Sequence, residues 1–159
     1  ALHELLRESR LEKHYVALVE GAWPQKLREI SAPLTRTSEQ SGGGLARVAA
    51  SGKRAVTRFR IRAQFADFTL VEAIPETGRT HQIRVHLTEI GHPIAGDPTY
   101  GNGTSRRGPE ATTRLFLHAW KIVFAHPRDG RLMRLEAELP ADLQAPLDAL
   151  RLHSSRGEG

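Results

Sequence analysis

Arginine, histidine and glycine crowd one stretch of this chain in a pattern that packing alone does not require. Thr77-Gly78-Arg79-Thr80-His81-Gln82-Ile83-Arg84-Val85-His86 is followed by Gly91-His92-Pro93-Ile94-Ala95-Gly96-Asp97 and by Tyr100-Gly101. A glycine ahead of a helix lets backbone approach a ligand closely. The first turn of the helix presents amides without intrahelical partners at the positive end of its dipole. Arg79 and Arg84 add fixed positive charge. Five positions apart on a helix is about 140° around the axis, so the two arginines diverge and serve different partners, one a phosphate and the other a carboxylate. The same residues also permit a capped surface helix with solvated arginines.

Other residues bear on chemistry. His81, His86, His92 and His118 invite a metal reading. His81 and His86 are five apart, however, whereas helical ligand pairs prefer four, and no carboxylate stands at ligand spacing between them. The reading is therefore no metal, with hydrogen-bonding histidines. Asp97, in Gly96-Asp97-Pro98, reads as a turn aspartate that caps its own backbone. Thr57, Phe59 and Ile61 alternate with Arg58, Arg60 and Arg62, which puts a row of arginines on one face of a strand. That row fits a nucleic-acid backbone or a solvated sheet face. Tyr15 stands mid-strand, where its ring fits a base-stacking platform, although composition alone favours a core tyrosine.

The bulk numbers narrow the class. The 159 residues suit one domain or most of one, and 39% hydrophobic residues allow a real core. Cysteine is absent, which excludes disulfide and thiolate chemistry and fits a reducing, cytoplasmic setting. No apolar run reaches the length of a membrane span. The net charge of +5 favours a polyanionic partner. The charge is unevenly spread: Arg47, Lys53, Arg54, Arg58, Arg60 and Arg62 fall between Leu45 and Gln64 with no acidic residue among them.

The elements that must position these groups follow from periodicity. Leu2 to Leu11 reads as the end of an amphipathic helix, His14 to Val19 as a strand, and Leu27 to Ile30 as a short strand. Ser38 to Gly44 reads as a mobile loop. Strands Thr57–Arg62 and Phe68–Ile74 form a hairpin turning near Ala66-Asp67. Thr80 to Ile90 is predicted helical, capped by Thr80 and ended by Gly91. Gly101 to Thr113 is a polar loop carrying Arg106-Arg107. Leu115–Phe124 and Leu132–Leu139 are strands joined at Pro127-Arg128-Asp129-Gly130. Asp142 to Leu152 is a terminal helix disturbed by Pro146. The expectation is one α+β domain over residues 1–152, with a mixed, mainly antiparallel sheet and flanking helices, and a flexible tail at 153–159.

Taken together, these motifs resemble the RluA-type pseudouridine synthases. Lys13 to Gly21 is similar to that family's K-x-Y-x-A-x-V-x-G strand, and Gly52 to Phe59 to its G-K-x-A-x-T-x-F element. Thr77 to His86, Gly91 to Asp97 with Tyr100-Gly101, Leu115 to Ala119 and His126-Pro127 match its later landmarks in order. The resemblance implies isomerisation of uridine to pseudouridine in RNA, most of all large-subunit ribosomal RNA, by a monomer without cofactor. It implies that Tyr15 packs against the flipped uracil, that Ile83 adds to the apolar wall, and that Arg84 pairs with the catalytic aspartate. Arg79, Lys53, Arg58, Arg60 and Arg62 are the expected RNA contacts. The family carries its aspartate in an H-R-L-D motif, which does not occur in this sequence. The expectation is thus the C-terminal part of a catalytic domain, lacking the first strands of the fold. An RNA-binding protein that reuses the scaffold without catalysis is the alternative, and a histidine-based metal hydrolase is a third.

Overall fold

The structure, a computed structural model, describes residues 11–37, 45–101 and 108–157, with side chains described as far as residue 152. Its strands are β1 (Glu12–Glu20), β2 (Glu29–Ser31), β3 (Leu34–Arg36), β4 (Ala46–Val48), β5 (Val56–Gln64), β6 (Phe68–Pro75), β7 (Leu117–Ala125) and β8 (Leu132–Glu136). Helix α1 (Gln82–Glu89) falls between β6 and β7, and α2 (Ala141–Gly157) follows β8. Six strands form one sheet in the order β2-β5-β6-β1-β7-β8, and β3 pairs with β4 in a separate ribbon. All strand pairings among the described residues are antiparallel, as expected for this α+β class.

β1 is the spine of the sheet. Its edges pair with β6 and β7, and its run from Val16 to Val19 is buried on both faces. The expected hairpin is present: β5 and β6 turn at Phe65–Phe68, where Phe65 N–H donates to Phe68 O at 2.8 Å. β7 and β8 turn at Pro127–Gly130. Gly130 takes a φ of 73° there, and His126 N–H donates to Arg131 O at 2.7 Å.

One face of the sheet carries Tyr15, Ala73 and Phe59 in register. Helix α1 belongs to this side: Ile83 and Leu87, one turn apart, join the main core with Phe59, Val71 and Ala73. Val85 points elsewhere, into a smaller cluster with Leu34, Ala46 and Ala55, and so ties the ribbon to the helix. The opposite sheet face carries Val16, Glu72 and Arg60 in register. At the Leu70 end of the sheet, α2 sends Leu143 and Leu147 into the main core.

Several boundaries differ from expectation, each for a physical reason. Helix α1 starts at Gln82 and its N-cap is His81, not Thr80, with φ 51° and no side-chain cap bond. The Gln82 side chain, described below, organises the preceding turn instead. The helix ends as expected at Gly91, with φ 83°. His92 N–H donates to Leu87 O at 2.9 Å and Gly91 N–H to Thr88 O at 3.0 Å, the Schellman pattern. α2 runs through Pro146 because that proline lies in its second turn and removes a single ladder bond. It also reaches Gly157, so residues 153–157, read as tail, are helical. The expected helix at 2–11, the loop at 38–44 and Arg106-Arg107 lie largely or wholly outside the described residues.

Candidate active site

The helix that carries the Arg-His motif is fastened to the sheet by one buried amide. Gln82 Oε1 accepts from Thr77 Oγ1 at 2.6 Å and from Arg79 N–H at 3.1 Å. Its Nε2 donates to Val56 O and to Thr57 Oγ1, both at 2.9 Å. Thr57 Oγ1 is in turn 2.9 Å from His86 Nδ1, and His86 Nε2 is 2.9 Å from Ala32 O. Since Thr57 accepts from Gln82, its own proton goes to His86 Nδ1, and His86 donates from Nε2 to Ala32. Burial, only partly countered by the Ala32 carbonyl, lowers the His86 pKa and keeps that ring neutral. Gln82→Met keeps the volume and removes all four bonds. It is expected to cost about 2–3 kcal/mol, because buried partners are left unpaired; urea unfolding measures this, and an unchanged midpoint would refute it.

The Thr77–Arg79 segment held in this way borders a cavity of about 400 Å³, within the ~300–1,000 Å³ usual for small-ligand sites. Its wall includes Tyr15 and Lys13 from β1, Arg79, His81, Ile83 and Arg84 around the start of α1, and Leu115 and Leu117 opposite. Three residues singled out by the resemblance, Tyr15, Ile83 and Arg84, therefore meet in one place, with Arg79 at the rim. Tyr15 is half-buried, and burial raises its pKa, so it stays a neutral phenol.

Arg84 is held from behind. Its Nε lies 3.0 Å from Asp97 Oδ2 and its Nη2 2.8 Å from Asp97 Oδ1, a two-point pair. The Asp97 side chain is fully buried, while Arg84 keeps 14% exposure. Asp97 Oδ1 also accepts from Thr99 N–H at 2.9 Å and Tyr100 N–H at 3.1 Å, so it does cap its own loop. Burial pushes the Asp97 pKa up, but the Arg84 hydrogen bonds, the two amides and the Arg84 charge together bring it below the usual carboxylate value. With both oxygens engaged, Asp97 is an anchor rather than a free nucleophile. Tyr100 completes the support: its ring lies 4.9 Å from Arg84 Cζ, and its hydroxyl is 2.6 Å from His81 Nδ1.

A second groove, of about 470 Å³, adjoins the cavity across Gly78 and Arg79, which line both. The ribbon forms its far side with Arg36 and the exposed Lys53. Arg79 Nε donates to Arg54 O at 2.8 Å, which fixes that side chain along the shared rim. Lys53 is held by a bridge to Leu34, with N···O distances of 2.8 and 2.9 Å in the two directions. Gly52 beside it must lack a side chain, since a Cβ would stand 2.6 Å from the Leu34 carbonyl.

Arg58, Arg60 and Arg62 do not line this cavity, although Arg58 reaches its border through Glu76. They lie on the opposite sheet face. There Arg58 Nε is 3.0 Å from Glu76 and its Nη2 3.8 Å from Glu12, while Arg62 lies 4.9 Å from the Trp120 ring centre. The four histidines of the metal reading are dispersed into separate hydrogen bonds: His81 to Tyr100, His86 to Ala32, His92 to Glu20 O and His118 to Ala137 O. Among the described residues no group of three or more His, Asp or Glu could hold a metal ion. Sequence reading missed the Arg84–Asp97 pair and the place of His81 in the wall. Both residues stood in the motif, but nothing in their spacing says that they face one another.

Comparison with known proteins bears on the family and the fold. Residues 1–89 match the family model described as RNA pseudouridylate synthase. The chain is 46% identical over 155 residues to ribosomal large subunit pseudouridine synthase C of Escherichia coli K12, covering 95% of this chain and 49% of that protein. It is 44% identical over 157 residues to the same-named protein of Pasteurella multocida, covering 98% and 48%. The chain thus spans about half the length of the curated relatives it matches. Human RNA pseudouridylate synthase domain containing 1 superposes with a TM-score of 0.73 at 29% identity, over 90% of this chain and 61% of that one. Human RNA pseudouridylate synthase domain containing 4, at 23% identity and a TM-score of 0.72, shares the fold over 94% of this chain and 66% of its own. This chain belongs to the RNA pseudouridylate synthase family.

Proposed function

We propose that this chain carries the base-binding side of an enzyme that isomerises uridine to pseudouridine in large-subunit ribosomal RNA. The observation that carries the reading is the meeting of Tyr15, Ile83 and Arg84 in one cavity of a chain with this family membership. The names of the bacterial relatives supply the substrate class.

In the reaction, uracil N1 leaves C1′ of the ribose, the base turns, and C5 bonds to C1′. C5 gives up its proton and N1 ends with one, so no oxidant or cofactor is called for. The target base must first leave its stack. Tyr15 then faces the extruded ring, Ile83 closes the apolar side, and Arg84, fixed by Asp97, places positive charge at the wall. Such a charge lowers the pKa of a nearby carboxylate and keeps it ionised for attack. The attacking aspartate, in the H-R-L-D segment that this sequence lacks, belongs to another part of the full-length protein. Arg79, Lys53 and Arg36 along the second groove lie where the flanking phosphates would run, and the enzyme acts as a cytoplasmic monomer.

A scaffold that binds RNA without catalysis has one observation in its favour. The carboxylate lining the cavity, Glu76, is committed to Arg58 and Arg54. Tritium release from ribosomal RNA labelled at uridine C5 and lacking pseudouridine separates the readings. The full-length protein is expected to release label, and Tyr15→Ala to release far less. Tight RNA binding with no release would establish the scaffold instead.

A further inference from the structure

His81 is held more firmly than a surface histidine needs to be. Its φ of 51° is left-handed, a region histidine enters more readily than most residues but still at a cost. Its Nδ1 lies 2.6 Å from the Tyr100 hydroxyl, which accepts Ala46 N–H at 3.0 Å. A phenol has one proton to give. The arrangement that gives the Tyr100 proton an acceptor sends it to His81 Nδ1, and the neutral ring then carries its own proton on Nε2. Burial first, and the Arg84 charge second, hold the His81 pKa down and keep the ring neutral.

Nε2 makes no hydrogen bond to any described residue, although the ring lines the cavity with Tyr15, Ile83 and Arg84. The amide and hydroxyl groups beside it, Gln82 and Thr77, are occupied. Gln82 and Thr77 bond one another, and Gln82 also bonds the Arg79 amide and β5. His81 thus lines the cavity as a ring fixed through Nδ1, its orientation set before any ligand arrives. Pre-set donors lose less freedom on binding than free side chains do.

We infer that His81 Nε2–H donates to a carbonyl oxygen of the base seated against Tyr15, making His81 a substrate-contacting residue. The inference rests on the uridine-isomerising reading of the cavity. Uracil offers two ring carbonyl oxygens, and a neutral imidazole N–H suits either without adding charge.

Two substitutions oppose the structural and the binding roles. His81→Asn places its amide near the Nδ1 position, keeps a partner for Tyr100, and enters the left-handed region readily. His81→Gln reaches the Nε2 position with an N–H donor but suits the backbone less well. A purely structural role predicts that Asn outperforms Gln; the donor role predicts the reverse. The measurement is kcat/KM for tritium release from pseudouridine-free ribosomal RNA by the full-length protein, assayed well below each variant's thermal midpoint. His81→Asn is expected to fall about tenfold, the value of one hydrogen bond, with His81→Gln close to wild type. Asn equal to or better than Gln, with an active wild type, overturns the inference alone. Failure of the wild type to release label overturns the isomerase reading and this inference with it.

Discussion

Arg84→Ala is expected to cost about 3–5 kcal/mol of folding stability at neutral pH, because it strands a buried carboxylate. The Asp97 side chain is fully buried and would keep only the Thr99 and Tyr100 amides. The sign of the pH dependence identifies the cause. In the wild type Asp97 has a depressed pKa. Its contribution is therefore present above the unfolded carboxylate pKa of about 3.9 and is lost as pH falls through the lower folded value. Without Arg84 the largest remaining influence is burial, which raises the folded pKa. Asp97 is then best tolerated in the variant at acid pH, and its contribution turns against the fold as pH rises. Urea unfolding at pH 8, 6 and 4.5 should show the gap between the two proteins narrowing toward acid; a constant gap would mean that Asp97 stays ionised without its partner. Combining Arg84→Met with Asp97→Asn should recover part of the loss, since it removes the stranded charge. Turnover by full-length Arg84→Ala should drop by about 100-fold, the usual effect of a misplaced group at a reacting centre, with RNA affinity largely unchanged. If affinity falls as far as turnover, Arg84 contacts phosphate.

Gly96→Ala should be nearly as damaging, for steric reasons. Gly96 has φ 77°, and a Cβ there would meet the Arg114 carbonyl, with its carbon 2.8 Å away. The neighbourhood cannot yield. Ala95 N–H donates to Leu18 O at 2.8 Å and Phe116 N–H to Ala95 O at 3.0 Å, so this segment is fixed between β1 and the approach to β7. Ile94, Ala95, Asp97 and Phe116 all have zero exposure. A loss of about 3 kcal/mol or more is expected, the range of overpacking added to backbone strain, or roughly 10 °C in thermal midpoint for a chain of this size. Gly91→Ala is the control. Its φ of 83° is equally unsuited to alanine, yet a Cβ would meet nothing within 4 Å. It should cost only the conformational part, about 1 kcal/mol. If the two glycines give equal losses, the contact with Arg114 is relieved by movement.

What could be read in the sequence depended on how local the cause was. The β5–β6 hairpin was legible because alternation over Thr57–Arg62 and the Ala66-Asp67 turn both act within a few residues. The end of α1 was legible from Gly91. The start was not, because the turn is organised by a Gln82 amide that reaches back to Thr77 and across to β5. The ribbon of β3 and β4 was missed: three-residue strands are too short to show a period, and what holds them is Val85 of α1 and the Lys53 bridge. The gathering of Tyr15, Ile83 and Arg84 in one cavity was foreseen from family resemblance, since no spacing rule connects position 15 to position 84. The Arg84–Asp97 pair depends on a tertiary contact between a helix and a turn thirteen residues on, for which periodicity carries no signal.

The six-stranded sheet sets a minimum size for anything that engages both its sides. Tyr15 opens on one face, while Arg58, Arg60 and Arg62 stand on the other. An extended strand threaded past Tyr15 and along the ribbon travels over one face alone. Arg58 meets the border of the cavity at Glu76, just past the end of β6, so a ligand that also reaches Arg60 and Arg62 must pass over that sheet end and continue along the other face. A short oligonucleotide can therefore reproduce events in the cavity but not a grip on both faces. That grip would sense how distant segments of a large folded RNA are arranged in space, independently of the nucleotide order around the base in the cavity.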